Sequence, residues 1–155
     1  MTILLLSLGI GFVAGLRSMT APAAVSWAAS LGWIDLQDSP LRWMASRVSV
    51  AILTLAALAE LVADKLPRTP NRTAVGPLFA RLVLGGLSGA ALAVSAGESL
   101  ILGGVLGGVG AVIGAFAGYE LRRRAVAALG GRDTAVAVFE DLVAIGLAWL
   151  IVSQS

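Results

Sequence analysis

Five long apolar stretches, separated by short polar clusters, make up most of the chain. Crossing a bilayer as a helix takes about 20 mostly apolar residues, and these stretches meet or approach that length. The first runs from Thr2 to about Trp33, too long for one straight crossing and interrupted at Arg17 and Pro22. The others run from about Trp43 to Ala63, Leu78 to Ala96, Leu100 to Tyr119 (continuing as a polar-sided helix to Leu129) and Thr134 to Val152. Turn signals lie between them: Asp38-Ser39-Pro40, Pro67 to Pro70 with Asn71, Gly97-Glu98 and Gly130-Gly131. The pattern predicts an all-α, polytopic transmembrane helix bundle of about five spans, one domain over residues 1–155. The apolar start has no Lys or Arg before it, so it reads as a span rather than a cleaved leader.

The interruption in the first stretch predicts two half-helices. One ends near Arg17; the next starts near Thr20, with Thr20 as its cap and Pro22 in its first turn, and runs to about Leu31. Broken membrane helices aim their unpaired N–H groups and positive dipole ends at anions. Arg17, Ser18 and Thr20 at such a point form a candidate anion site. The alternatives are an ion pair from Arg17 to another helix, or a snorkelling Arg17.

Composition turns the pattern into a class. Of 155 residues, 58% are hydrophobic and 13% charged, against about 45–50% and about 25% in soluble domains. That leaves too little polar surface for a soluble globule. The absence of Cys excludes disulfides, Fe–S ligation and a thiol nucleophile, and the absence of His removes the commonest metal ligand and neutral-pH proton carrier. No cofactor, metal or catalytic residue is expected.

Charge then orients the spans. The second and fourth connections hold Lys65, Arg68, Arg72 and Arg81, then Arg122, Arg123, Arg124 and Arg132; the opposite side has Arg42 and Arg47 beside Asp35, Asp38 and Glu98. The positive-inside rule makes 64–78 and 120–133 cytoplasmic. Five crossings would then put the N-terminus inside and the C-terminus outside. The basic residues belong beside headgroups rather than nucleic acid, with Arg122, Arg123 and Arg124 fixing topology or touching lipid.

Small residues recur at helical spacing: Gly11 and Gly15 in the first span, Gly85, Gly86 and Gly89 in the third, and Gly110, Gly114 and Gly118 on one face of the fourth. Such a glycine-zipper pattern lets backbones approach closely, within the bundle or across a homodimer. Four acids occupy the cytoplasmic half. Glu60 and Asp64 share a face at the end of the second span, and Glu140 and Asp141 lie about two turns into the fifth. Left unpaired they would be costly, so Arg17, Lys65 and Arg81 are the expected partners, with proton uptake as the other escape. Asp64 and Lys65 read as a solvated pair. Glu60-Leu-Val-Ala echoes Asp141-Leu-Val-Ala, which raises an inverted repeat of helices 1–2 and 4–5.

Gly15-Leu16-Arg17, Glu60-Leu-Val-Ala-Asp64-Lys65-Leu-Pro67, the Arg81 to Gly89 segment and Glu140-Asp141 together resemble a family of small bacterial membrane proteins labelled domain of unknown function 4126. The resemblance implies an integral bundle in a bacterial inner membrane and carries no activity with it.

The leading expectation is a small carrier or channel, with a structural or accessory membrane protein as the alternative. A small carrier or channel, proton-coupled or not, would pass an anionic solute by Arg17 and Thr20 or a cation by Glu60, Glu140 and Asp141, with Asp64 and Ser18 alongside. A structural or accessory membrane protein would bind a lipid or partner subunit and use the same charges as ion-pair glue. An intramembrane enzyme is the weakest reading. Membrane lipids and a homo-oligomer, a dimer first, are the expected partners; nucleic acid is not.

Overall fold

The computed structural model describes residues 2–66 and 71–155, so Arg68 and the Pro67–Pro70 turn signal lie outside the described residues. Six α-helices follow in order: α1 Ile3–Leu16, α2 Thr20–Ser30, α3 Arg47–Ala63, α4 Val75–Ser95, α5 Leu100–Ala128 and α6 Asp133–Val152, with a 3-10 turn at Arg42–Ala45 before α3. There is no strand among the described residues. The last four apolar stretches become α3 to α6 within a few residues of their expected limits. Hydroxyls set two of the starts. The Ser46 side chain accepts from the Ser49 N–H at 3.1 Å and the Ser99 side chain from the Leu102 N–H at 3.3 Å, each an N-cap. α4, α5 and α6, of 21, 29 and 20 residues, are long and apolar enough to cross a membrane. α1, at 14 residues, reaches about 21 Å at about 1.5 Å per residue, short of the roughly 30 Å hydrocarbon thickness.

The first stretch breaks where the sequence predicts. Arg17 is extended, with φ −140° and ψ 109°, and ends α1. Pro22 falls in the first turn of α2, where a missing N–H breaks no helical hydrogen bond. The chain then reverses. A β-carbon on Gly9 would lie 3.2 Å from Ile151 Cδ1, so the start of α1 adjoins the end of α6. Arg17 binds Asp141 near the other end of α6, and Trp33, just past α2, packs edge-on against Trp149 with ring centroids 4.9 Å apart. α1 therefore runs antiparallel to α6 and α2 returns parallel to it. The pair is a hairpin, its tip at Arg17.

Five straight crossings would instead set the two ends of the chain at opposite ends of the bundle. Thr2 and Ser155 lie at the same end of the bundle, and residues 64–66, 71–78 and 120–133 belong to the opposite end. The break reverses the chain because Arg17 and Ser18 have partners on α3 and α6 that hold the tip.

Glycines bring the central helices together. A β-carbon on Gly11 would overlap the Gly107 carbonyl, and one on Gly15 would overlap the backbone at Ala111 and Ala115. Gly110 and Gly114 press on the backbone of Leu8 and Phe12, Gly89 on that of Gly103 and Gly107, and Gly118 on the Leu16 side chain. α1, α4 and α5 thus form a close-packed trio, as expected where small residues rather than water drive helix association. The same contacts engage Gly11, Gly15, Gly110, Gly114 and Gly118 inside one chain, so these stripes are not free to join two copies. α3 is peripheral, packing chiefly on α2 and the 3-10 turn. Outward-facing Leu55, Phe79, Ile101, Phe139 and Leu142 suit a lipid surround.

The hairpin gives a test that the Cys-free sequence makes simple. Single Thr2→Cys and Gln154→Cys variants should react with a membrane-impermeant maleimide from the same side, and Ala128→Cys only from the other. Labelling of Thr2→Cys and Gln154→Cys from opposite sides would restore the five-crossing arrangement.

Candidate functional site

The hairpin tip exposes two helix ends with unpaired backbone groups: carbonyls and a negative dipole end at the close of α1, N–H groups and a positive end at the start of α2. Each meets a side chain of opposite charge. Glu60, from the last turn of α3, accepts from the Ser18 and Met19 N–H groups, both at 2.8 Å, and from the Ser18 hydroxyl at 2.6 Å. Arg81 of α4 donates through Nε to the Gly15 carbonyl at 3.1 Å. Its Nη1 lies 3.9 Å from Glu60 Oε1. The expected anion site at the start of α2 is therefore filled by the protein's own carboxylate. Thr20, expected as the cap, is the first residue of α2 and makes no capping bond; Glu60 replaces it because α3 delivers a full negative charge to the same N–H groups.

Arg17 is completely buried. Its Nη1 donates to Asp64 Oδ2, its Nε to Asp141 Oδ1 at 2.6 Å, and its Nη2 lies 3.8 Å from Glu140 Oε2. That Nη2 is buried and has no hydrogen-bond partner. Arg72 donates to both oxygens of Glu140, with Nη2 to Oε2 at 3.0 Å. Lys65 reaches across to Asp141 Oδ2 at 2.6 Å and also donates to the Leu61 carbonyl at 2.7 Å. This corrects the reading of Asp64 and Lys65 as a solvated pair. They are neighbours in sequence on separate partners, Asp64 on Arg17 and Lys65 on Asp141, since burial of Arg17 demands carboxylates from two helices.

Among the described residues, four cations (Arg17, Lys65, Arg72, Arg81) thus interlock with four carboxylates (Glu60, Asp64, Glu140, Asp141), a formally neutral set. It draws together the break after α1 and helices α3, α4 and α6. Glu60 and Asp141 sit in it at the same end of the bundle, where a repeat inverted in the membrane would place them at opposite depths. Arg122 borders the cluster, with Nη1 3.8 Å from Glu140 Oε2, and holds Asp133 at 2.9 and 3.0 Å. Arg123 and Arg124 turn instead to Glu120 on the exposed surface, at 2.7 to 3.0 Å.

Sequence reading named the four acids with Arg17, Lys65 and Arg81, and the structure brings all seven together. It missed Arg72, Arg122 and Asp133, counted only as loop charges. The one signal for Arg72 was charge balance, since three cations against four buried acids leave one acid unpaired.

Several hollows among the described residues adjoin the bundle. A cleft of about 310 Å³ lies between α2, α3 and α6, with Thr20 and Leu61 near the cluster and Trp33 and Trp149 at the far end. A second of about 280 Å³ lies between α1, α5 and α6. A wider groove of about 820 Å³ runs along α4 and α5. All are overwhelmingly apolar. Among the described residues no group of three or more acidic side chains is placed to hold a metal ion.

A family model described as "Domain of unknown function (DUF4126)" matches residues 4–154. The chain belongs to this family. The match takes in the six helices, but for Ile3 at the start of α1, and every member of the charged cluster. No curated protein and no solved structure matches the chain.

Removing one partner from a buried ion network costs about 3–5 kcal/mol, because the others are left uncompensated. Arg17→Gln should therefore destabilise the detergent-solubilised protein by about that amount in a denaturant titration. Glu98→Gln, at an exposed turn, should change stability by less than about 0.5 kcal/mol. Equal small effects would remove the cluster from its structural place.

Proposed function

We propose that the protein is an accessory membrane protein in which the charges are ion-pair glue and the apolar flanks hold a lipid or a partner subunit. The observation that carries this reading is Glu60 on the Ser18 and Met19 N–H groups. An ion pathway needs its charged groups open to the permeant species, whereas here the helix start best suited to an anion is capped from within. The four carboxylates are likewise matched by four cations. The clefts point the same way. Their apolar linings suit acyl chains or helices and offer a hydrated ion nothing to replace its water. With the basic end cytoplasmic, as the positive-inside rule suggests, the cluster lies toward the cytoplasm of a bacterial inner membrane and both termini lie outside.

A carrier of an ion or small solute, with Arg17, Glu60, Glu140 and Asp141 as its moving ion pairs, is the second reading. Two observations favour it: the unpartnered Nη2 of Arg17, and the cleft that ends at Leu61, next to Glu60.

Purified protein in liposomes separates the two. The accessory reading predicts no current and no flux of monovalent ions, protons or small anions above empty liposomes, with or without a pH gradient. It also predicts that Glu60→Gln lowers the yield of folded protein. Flux that Glu60→Gln or Arg17→Gln abolishes in variants that still fold would make the protein a carrier.

A further inference from the structure

The cleft between α1, α5 and α6 differs from the other two in having charge at its mouth. Phe12, Leu16, Leu121, Phe139 and Val143 form its apolar body, and Arg122 and Glu140 also line it. α5 and α6 touch little along their length, which leaves the cleft open sideways toward lipid. Arg132 stands one turn before Val136, a lining residue, at the N-cap of α6. Arg132 immediately precedes α6, whose Val136, Phe139, Glu140 and Val143 line the cleft. At this end of the bundle every other described cation is held by a carboxylate; Arg132 is exposed and has none among the described residues. The surrounding surface has Arg122, Arg123, Arg124 and Arg132 against Glu120 and Asp133, an excess of positive charge.

An apolar slot of about 280 Å³ topped by a free arginine fits an amphiphile with a negative head. We infer that this cleft binds one acyl chain of an anionic phospholipid from the adjoining leaflet, with the phosphate on Arg132 at the mouth beside Arg122. The inference rests on the accessory reading and names its ligand. A basic side chain near anionic headgroups is worth about 1 kcal/mol, which corresponds to about a five-fold change in affinity. Arg122 is committed to Asp133 and Glu140, so Arg132 supplies the selectivity. Arg123 and Arg124, the sequence's candidates for headgroup contact, are committed to Glu120.

Native mass spectrometry of the full chain, released from detergent with equimolar phosphatidylglycerol and phosphatidylcholine, tests this. The wild type should retain phosphatidylglycerol in preference to phosphatidylcholine. Arg132→Gln, at an exposed site, should weaken phosphatidylglycerol binding about five-fold and remove the preference. Ala125→Trp should fill the cleft and reduce retention of both lipids. Equal retention of the two lipids by the wild type would overturn the proposal, as would binding unchanged in Arg132→Gln, or a second copy of the chain in place of lipid. Loss of the lipid preference in a protein that still passes no ions would remove this site and leave the accessory reading standing; ion flux would remove that reading whatever the lipid result.

Discussion

A fully buried arginine needs compensation from several directions at once, and Arg17 obtains it from Asp64 on the end of α3 and Asp141 on α6. Because those acids come from different parts of the chain, satisfying one guanidinium also fixes where three segments meet. The same point is where α1 stops and α2 starts, so two opposed helix ends need charges of opposite sign. Glu60 and Arg81 supply them and stand 3.9 Å apart. The hairpin, the seat of α3 and the inner end of α6 all follow from keeping these charges matched away from water.

Close packing of the remaining helices makes that arrangement reachable. α1 lies against α4 and α5 at backbone distance because glycines face it at Gly107, Gly110 and Gly114. This brings the Gly15 carbonyl to Arg81 and Gly118 to Arg72 and Glu140. A bulkier interface would move the hairpin tip from the cluster and leave buried charges unpaired, a cost of several kcal/mol for each. Glycine packing and charge pairing therefore support each other. α3 shows the complement: with little packing of its own, it is anchored at its inner end by Glu60, Asp64 and Lys65.

Much of this was legible in the sequence because membrane solvent makes its rules visible. Apolar length placed α3 to α6. Arg17 with Thr20 and Pro22 marked the break, and scarce acids in apolar runs named most of the cluster. The reversal at Arg17 was not legible, because a break in an apolar stretch looks the same whether the chain continues or turns back. Long-range contacts with α6, from Gly9, Arg17 and Trp33, distinguish the two. The role of Glu60 was hidden for a related reason: local patterning suggests a nearby cap, such as Thr20, and the cap came from 41 and 42 residues away. Arg72 sits in a connection where an arginine ordinarily faces headgroups, so its charge was read as topology.

The central claim is that Arg17 and its carboxylates hold the fold as one coupled unit. A double-mutant cycle on the folding free energy, using Arg17→Gln, Asp141→Asn and the pair together, tests it most directly. The account predicts that the double variant is more stable than the two single losses imply, with a coupling of about 2–3 kcal/mol, as for residues in one buried network. Additivity within about 0.5 kcal/mol would contradict it, because the two side chains would then contribute to folding independently.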